Sequence, residues 1–401
     1  MYLTREEEQI LGGAIGEGMQ KAMELLVAIG DAWDAQEMIP IVRAHAAPGY
    51  EGDMYFIELL GKGKDQCKVP TTTNPLYDTE YFSSLFEIPE KEDEVIRRVV
   101  LGYKKIGAIP TSCCTPYLNE NIPLYGENVA FSESSASCYV NSVIGARTNR
   151  EAVQSATAAA VIGKTPKYGL HLKENRKGTF LVKVKATIRD EFDFGLLGYY
   201  VGKHIGCKIP VIAGLSRRPV TEELVNLSAM LNTTGAVSMF HIPEFTIEAP
   251  TLQEAFQGDT PEDRITVTDA ELEEANEELQ ATTGTIDLVM LGCPHYTLRQ
   301  IGQVARLLKG RKINRNVSFW ICTSATSRLL AERSGYLDII ERAGGRVCKD
   351  TCAPDAPCWH VYRDKIGITD SPKCSYYRRF KEAGVMRLKD CVRTAIRGKS
   401  I

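Results

Sequence analysis

The sequence has no excess of positive charge and no apolar run long enough to cross a membrane. Its 48 lysine and arginine residues stand against 51 aspartate and glutamate residues, a net charge of −3 at pH 7. Nucleic-acid binding needs a basic surface for the phosphate backbone, so we expect no nucleic-acid partner. Insertion in a membrane needs about 20 consecutive apolar residues, so we expect none. The acidic segment from Met1 to Glu8 does not resemble a basic and then apolar secretory signal, and we expect a cytoplasmic protein.

Several motifs of familiar protein classes are also missing. No Gly-x-Gly-x-x-Gly leads from a strand into a helix and no Gly-x-x-x-x-Gly-Lys-Ser/Thr occurs, so no motif supports nucleotide binding. A nucleophile-elbow serine is absent. The twelve cysteines include no Cys-x-x-Cys pair, which argues against a zinc ribbon.

The hydrophobic pattern predicts a mixed α/β chain. Thr4 and Glu7 form a capping box before a first helix. Residues 179–189 alternate as a strand does, and the order β-α-β-α over 286–291, 296–308, 317–321 and 326–335 favours a parallel sheet covered by helices. We expect a loop from Thr71 to Pro75, and a long loop region at 111–150 of the kind that carries a site.

A chain of 401 residues exceeds the size at which one hydrophobic core stops growing, so we expect two or three lobes. We predict that residues 1–280 form N-terminal and middle α/β lobes that carry the Cys114 and Arg147 loops. Residues 281–401 are predicted to form a C-terminal α/β lobe that carries the Cys293 and Cys352 loops.

The cysteines raise the question of a metal. A reducing compartment disfavours disulfides, and most free cysteines are small buried apolar residues. Cys114, Cys293 and Cys352 stand in loops far apart in the sequence; three converging thiolates would hold iron or an iron–sulfur cluster and leave one coordination position open. Ordinary buried cysteines are one alternative. A compact zinc site is the other, less favoured because of its irregular spacing, and would use Cys348, Cys352, Cys358 and His360.

Polar residues are dense between 132 and 150. Glu133, Ser134 and Ser135 precede Asn141, and Arg147 and Arg150 follow, where two guanidinium groups could clamp a carboxylate or phosphate. Solvated arginines at a helix end are the alternative. Glu133 and His171 could act as acid or base, although a lone histidine is often structural.

Eight segments closely resemble the aconitase X family, and together they cover nearly the whole chain: 110–118, 126–128, 132–136, 141–151, 168–176, 291–295, 350–352 and 388–392. The resemblance implies an aconitase-like fold of several α/β/α lobes, with parallel or mixed sheets around a central iron site. It also implies a dehydratase whose iron acts as a Lewis acid on the substrate hydroxyl.

The same resemblance suggests roles for particular residues. Cys114, Cys293 and Cys352 would bind a 4Fe-4S cluster, a 2Fe-2S cluster or mononuclear iron. The catalytic set would be Glu133, Ser134 and Ser135, and the substrate-binding set would be Arg147, Arg150, Asn141, His171 and Lys373. The preferred substrate is mevalonate 5-phosphate, dehydrated to anhydromevalonate phosphate; cis-3-hydroxy-L-proline is the alternative.

Members of the family also have a small swivelling domain, separate or fused, whose Gly-Ser-rich loop bears a serine suited to proton abstraction. We therefore expect a small swivelling-domain subunit as partner, and little activity without it. Segments 44–50, 242–247 and 370–377 depart from the family pattern in loops expected to line the pocket. A noncatalytic paralogue that keeps the fold is thus the alternative to an enzyme.

Overall fold

The computed structural model describes residues 1–49, 51–63, 65–280, 284–377 and 382–399, with the backbone alone for residues 382 and 383. Within them the chain forms a mixed α/β protein with three parallel sheets, as the sequence predicts. No helix in this described part combines the length and apolarity that crossing a membrane requires.

The first region starts where the capping box was predicted, with Thr4 Oγ1 accepting from the Glu7 amide. Its parallel sheet has the order β3-β2-β4. The helices are α1 (Arg5–Leu11), α2 (Glu17–Ala32), α3 (Glu51–Gly63), α4 (Thr79–Ser83), α5 (Glu90–Lys105), α6 (Ser134–Tyr139) and α7 (Val153–Ile162). The strands are β1 (Met38–Pro40), β2 (Arg43–Ala46), β3 (Thr71–Thr73), β4 (Val129–Phe131) and β5 (Lys164–Pro166).

Two loop predictions in this region were wrong. Thr71 to Thr73 form strand β3, paired in parallel with β2, because Pro75 restricts only the residue before it and β-branched threonines suit a strand. The 111–150 segment contains β4 and α6. All but the first residue of α6 are buried, so the helix has no polar face from which its periodicity could be read.

The second region has the parallel sheet order β7-β6-β8. Its elements are β6 (Phe180–Val184), α8 (Glu191–Ile205), β7 (Pro210–Ala213), α9 (Thr221–Gly235), α10 (Leu252–Ala255), β8 (Asp263–Val267) and α11 (Asp269–Leu279). Helix α6 packs its buried face against this region, so the segment that carries Glu133 lies between the first and second cores.

The third region is a five-stranded parallel sheet of order β11-β10-β9-β12-β13. Its strands are β9 (Leu288–Tyr296), β10 (Ser318–Thr323), β11 (Arg346–Lys349), β12 (Ile366–Thr369) and β13 (Glu382–Val385). Its helices are α12 (Leu298–Leu308), α13 (Ala325–Arg333), α14 (Tyr336–Ala343), α15 (Pro372–Tyr377) and α16 (Leu388–Arg397). The predicted lobe boundary at 280 adjoins residues 281–283, which lie outside the described residues, and it stays a prediction.

Candidate active site

The three predicted thiols line one cavity. Cys114 follows the 109–113 loop of the first region, Cys293 lies near the end of β9, and Cys352 follows β11. All three contribute to the wall of a single cavity of about 350 Å³. Cys293 is buried, and Cys114 and Cys352 are half-buried. The fold therefore brings together side chains from the first and third regions that are distant in sequence.

A backbone turn with positive φ precedes each of the three cysteines. Ser112 has φ 45°, Gly292 has φ 92° and Asp350 has φ 60°. At Gly292 a side chain is impossible, because a Cβ atom there would collide with the carbonyl oxygen of Cys322 in the neighbouring strand. Each turn directs the cysteine that follows it toward the cavity. At the two non-glycine positions, Ser112 and Asp350, the left-handed conformation costs free energy.

Glu133 and Lys373 form a buried ion pair on the cavity wall. Lys373 Nζ donates to Glu133 Oε1 at 2.9 Å and to Ser134 Oγ at 2.8 Å. The other carboxylate oxygen accepts from Ser135 Oγ at 2.5 Å and from the Ala136 amide at 2.8 Å, so Glu133 caps helix α6. Each carboxylate oxygen is therefore bonded by two donors, since Ser134 Oγ also reaches Oε1 at 3.0 Å.

Electrostatics keep this pair charged. Burial acts to raise the pKa of Glu133, but the Lys373 ammonium and the hydrogen bonds lower it overall. Burial acts to lower the pKa of Lys373, but Glu133 and the nearby Cys293 and Cys114 raise it above its usual range. The ammonium group thus stands as a fixed positive charge beside the cysteines.

The thiols themselves are protonated in the metal-free protein. Burial raises the pKa of Cys352 to about 12 and that of Cys114 well above its ordinary value. The pKa of Cys293 is raised by the adjacent Cys374 thiol and by burial. A metal that binds here would therefore release protons, as thiolate sites do.

The donor set fits an iron–sulfur cluster. Sulfur ligands suit such clusters, and three of them leave one iron with an open position. Within the described residues, no three His, Cys, Asp or Glu side chains lie close enough to hold a single metal ion. The three thiols line one cavity, which has room for a group larger than one ion.

Among the described residues, those of the compact zinc alternative form no group close enough to hold a metal ion. The Cys348 sulfur lies 3.4 Å from Cys322 Sγ across β10 and β11, and His360 Nδ1 lies 3.3 Å from the Pro357 carbonyl.

Several predicted site residues lie outside the cavity wall. Asn141 is fully buried, and its amide is bonded to the backbone of Thr148 and to Arg176. Arg147 donates to the His171 carbonyl and pairs with Asn128 ahead of β4, whereas Glu133 follows β4. The five residues that follow Asn128, up to Glu133, span on the order of 15 Å when extended. Arg147, at the Asn128 end of β4, is therefore distant from the thiols near Glu133.

His171 and Arg150 differ in exposure. His171 is buried, with Nδ1 2.9 Å from Asn128 Oδ1, and burial together with Arg176 and Arg147 lowers its pKa to about 3. Arg150 is exposed and forms no ion pair with any described residue. Ser135 is fully buried behind Glu133, while Ser134 and Lys373 line the cavity.

Sequence reasoning gave no role to His295, which also lines the cavity. Its backbone amide donates to Cys114 Sγ at 3.2 Å, and its Nε2 lies 2.9 Å from the Thr351 carbonyl oxygen. The signal that could have identified it is its place two residues after Cys293 in Gly-Cys-Pro-His.

Parallel α/β regions that bring cysteines from separate loops to one cavity are the architecture of an aconitase-like protein. Comparison with known families agrees. The first, second and third domains of aconitase X match residues 1–174, 178–277 and 286–397 respectively. The chain therefore belongs to the aconitase X family, and the predicted membership is confirmed.

Characterised relatives match over most of their length. The phosphomevalonate dehydratase large subunit of Thermococcus kodakarensis is 39% identical over 94% of this chain and 95% of its own. The subunit of the same name from Methanothermobacter thermautotrophicus is 40% identical over 94% of each chain. The cis-3-hydroxy-L-proline dehydratase of Pseudomonas aeruginosa is 32% identical over 98% of this chain but only 70% of its own.

The fold also matches a solved structure. The crystal structure of Thermococcus kodakaraensis aconitase X in its holo-form superposes with a TM-score of 0.89 at 36% identity, over 98% of this chain and all of that one. The predicted aconitase-like fold is thus confirmed. The predicted reaction class is confirmed as well, since these relatives are dehydratases.

Proposed function

We propose that this chain is the large subunit of an iron–sulfur dehydratase that removes water from mevalonate 5-phosphate. The observation that carries the proposal is the meeting of Cys114, Cys293 and Cys352 on one cavity wall. The phosphomevalonate dehydratase large subunits favour that substrate over cis-3-hydroxy-L-proline, since the identity to them reaches 40%.

The cofactor we propose is a cluster rather than a single iron. The three thiols suit three irons of a 4Fe-4S cluster, and no described residue set is compact enough for one ion. When bound, such a cluster would supply a Lewis-acidic iron that makes the substrate hydroxyl a better leaving group.

The chain's own residues would bind and orient the anionic substrate. Lys373 carries three N–H donors, of which Glu133 and Ser134 take two, so one remains for a carboxylate or phosphate oxygen. Arg150 does not line this cavity, but it is exposed and forms no ion pair among the described residues, so we propose it as a second candidate for an anionic group that extends beyond the cavity wall. A cavity of about 350 Å³ suits a small acid beside a cofactor rather than a large ligand.

Glu133 does not supply the proton acceptor in this proposal. Its two oxygens already accept four hydrogen bonds, and the adjacent ammonium stabilises the carboxylate. Instead we assign Glu133 and Ser135 to holding Lys373 and α6, and Ser134 to orienting the substrate. For Asn141, Arg147 and His171 we propose structural roles.

The base would then come from a small swivelling-domain subunit. The relatives named phosphomevalonate dehydratase large subunits are matched over 88% to 95% of their length, whereas the cis-3-hydroxy-L-proline dehydratase of Pseudomonas aeruginosa is matched over only 70%. That longer relative therefore has additional sequence, which we interpret as the same component fused in one chain.

The test is turnover by the iron-loaded chain coexpressed with its small subunit. Mevalonate 5-phosphate and cis-3-hydroxy-L-proline are supplied separately, and kcat/KM is measured for each. Arg150→Gln should lower kcat/KM by about 10- to 150-fold, since a hydrogen bond to a charged group contributes about 1.5 to 3 kcal/mol. Arg147→Gln is the matched control and should have little effect. No turnover of either substrate by iron-loaded complex would contradict the proposal and favour the noncatalytic paralogue.

A further inference from the structure

His295 contacts all three segments that carry the proposed iron ligands. It stands two residues after Cys293 at the end of β9, and its backbone amide donates to Cys114 Sγ at 3.2 Å. Its side-chain Nε2 reaches the carbonyl oxygen of Thr351, the residue before Cys352, at 2.9 Å. His295 thereby links two segments that lie 181 and 56 positions away from it in the sequence.

The side-chain bond is specific in its chemistry. A carbonyl oxygen only accepts, so Nε2 must carry the proton and the ring orientation is fixed. The residue is 3% exposed, which excludes water from the bond. A hydrophobic side chain of similar size would fill the space but leave the Thr351 carbonyl without this donor.

We propose that His295 is a positioning residue that holds the three cysteine loops at the spacing the cluster needs. This inference rests on the proposed function, because it concerns the spacing of ligands for that cluster. The side chain sets the distance between the Cys293 and Cys352 segments. It also places the backbone amide that donates to Cys114 Sγ.

The amide–sulfur contact has a consequence of its own. Hydrogen bonds to cluster sulfurs help to set the reduction potential. Loss of the Thr351 anchor would shift the His295 backbone and change that hydrogen bond. The potential and the visible absorption of the cluster should therefore respond to the side chain, although the side chain itself is not a ligand.

The Cys352 loop has further anchors, so it should remain folded without the histidine ring. The Cys352 amide donates to the Leu76 carbonyl at 3.0 Å. Thr351 Oγ1 donates to the Lys349 carbonyl at 2.7 Å. A change in the spacing of the thiols, rather than unfolding, is the expected effect of substitution.

A second histidine in the chain provides a matched control. His241 is 2% exposed, and its Nε2 lies 2.8 Å from the Arg176 carbonyl oxygen. It belongs to the second region and does not line the cysteine cavity. His241→Leu thus removes the same kind of bond at the same burial, away from the thiols.

The experiment compares the unaltered chain with His295→Leu, His295→Gln and His241→Leu after anaerobic reconstitution with iron and sulfide. Each protein is challenged with a ferrous chelator, and iron loss, absorption spectrum and reduction potential are recorded. Loss of an outer hydrogen-bond partner weakens metal binding about 10- to 100-fold. We expect His295→Leu to lose iron faster by a factor in that range, with a shifted potential. His295→Gln restores a donor and should recover most of the retention.

The outcomes separate the two claims. If the unaltered chain takes up no iron, the proposed function fails and the inference with it. If the unaltered chain holds iron and His295→Leu retains it as His241→Leu does, the inference alone is overturned. If His295→Leu fails to fold, His295→Asn takes its place, because its shorter amide does not reach the Thr351 carbonyl; unchanged spectrum, potential and retention in that variant would overturn the inference.

Discussion

Removal of one partner of the buried ion pair between Lys373 and Glu133 should destabilise the fold strongly, because the other charge is then buried without a counter-charge. The atoms Nζ and Oε1 lie 2.9 Å apart, and the two side chains are 11% and 4% exposed. Opposite unit charges at that distance attract by about 6 kcal/mol at an effective dielectric constant of about 20. Desolvation offsets part of this attraction, but a partner left alone keeps its full desolvation cost.

Lys373→Met removes the charge and keeps the apolar stem. We expect it to lower the free energy of unfolding by about 3 to 5 kcal/mol, because the Glu133 carboxylate stays buried without a counter-charge. The double variant Lys373→Met, Glu133→Gln should recover most of that loss. The control is the exposed pair of Lys203 and Glu278, 2.7 Å apart, with side chains 48% and 35% exposed. Lys203→Met should cost less than about 1 kcal/mol, since exposed ion pairs contribute little.

The assay is equilibrium urea unfolding of the metal-free chain, followed by tryptophan fluorescence. Trp320 and Trp359 are fully buried in the same core cluster as Cys293 and Cys374, so their emission reports on this part of the molecule. The reasoning would be refuted by a Lys373→Met variant as stable as the Lys203→Met control, or by a double variant no more stable than the single one.

Three further predictions concern pH, backbone conformation and metal loading. The pKa of His171 in the folded protein is lowered to about 3, so the folded state holds the ring neutral while the unfolded chain takes up a proton below about pH 6.5. The contribution of His171 to the free energy of unfolding is therefore fully present above about pH 6.5 and falls with pH, by about 2 kcal/mol at pH 5. The difference between the urea midpoints at pH 7 and pH 5 should therefore be smaller in a His171→Gln variant, and the part that remains reflects the other buried histidines, His45, His241 and His295, whose pKa values are also lowered. Asp350 adopts φ 60°, so Asp350→Val should destabilise by about 1 to 2 kcal/mol more than Asp350→Gly in the same assay. Removal of iron by a chelator should lower the melting temperature, since a ligand present at 100 to 1,000 times its Kd stabilises by about 3 to 4 kcal/mol; an unchanged melting temperature would argue against cluster binding in the native state.

Local signals predicted the elements whose causes are local. The Thr4 and Glu7 capping box and the β-α-β-α order of the third region depend on neighbouring residues, and both are present. Strand β3 was missed because its stability comes from pairing with β2, about 27 residues earlier, as Thr71 opposite Ala44 shows. Helix α6 was missed because its environment, not its sequence pattern, is apolar.

The site was predictable only in part for the same reason. Sequence spacing alone left Cys114, Cys293 and Cys352 as one possible set of metal ligands among several interpretations of the cysteines. The family resemblance selected this set. The Lys373 partnership with Glu133 spans 240 residues, and the His295 bond reaches a backbone carbonyl that has no residue-specific signature. Contacts of these two kinds cannot be read from one sequence, because they arise when separate regions pack together.

The central claim is that Cys114, Cys293 and Cys352 hold an iron–sulfur cluster. The most direct measurement is the iron and acid-labile sulfide content of the anaerobically reconstituted chain and of its three Cys→Ala variants, with Cys322→Ala as a control outside the cavity. The account predicts iron and sulfide together in the unaltered chain and in Cys322→Ala, and a large loss of both in each of the other three variants. Iron without sulfide would contradict the cluster, and full retention in any one of the three would contradict the ligand set.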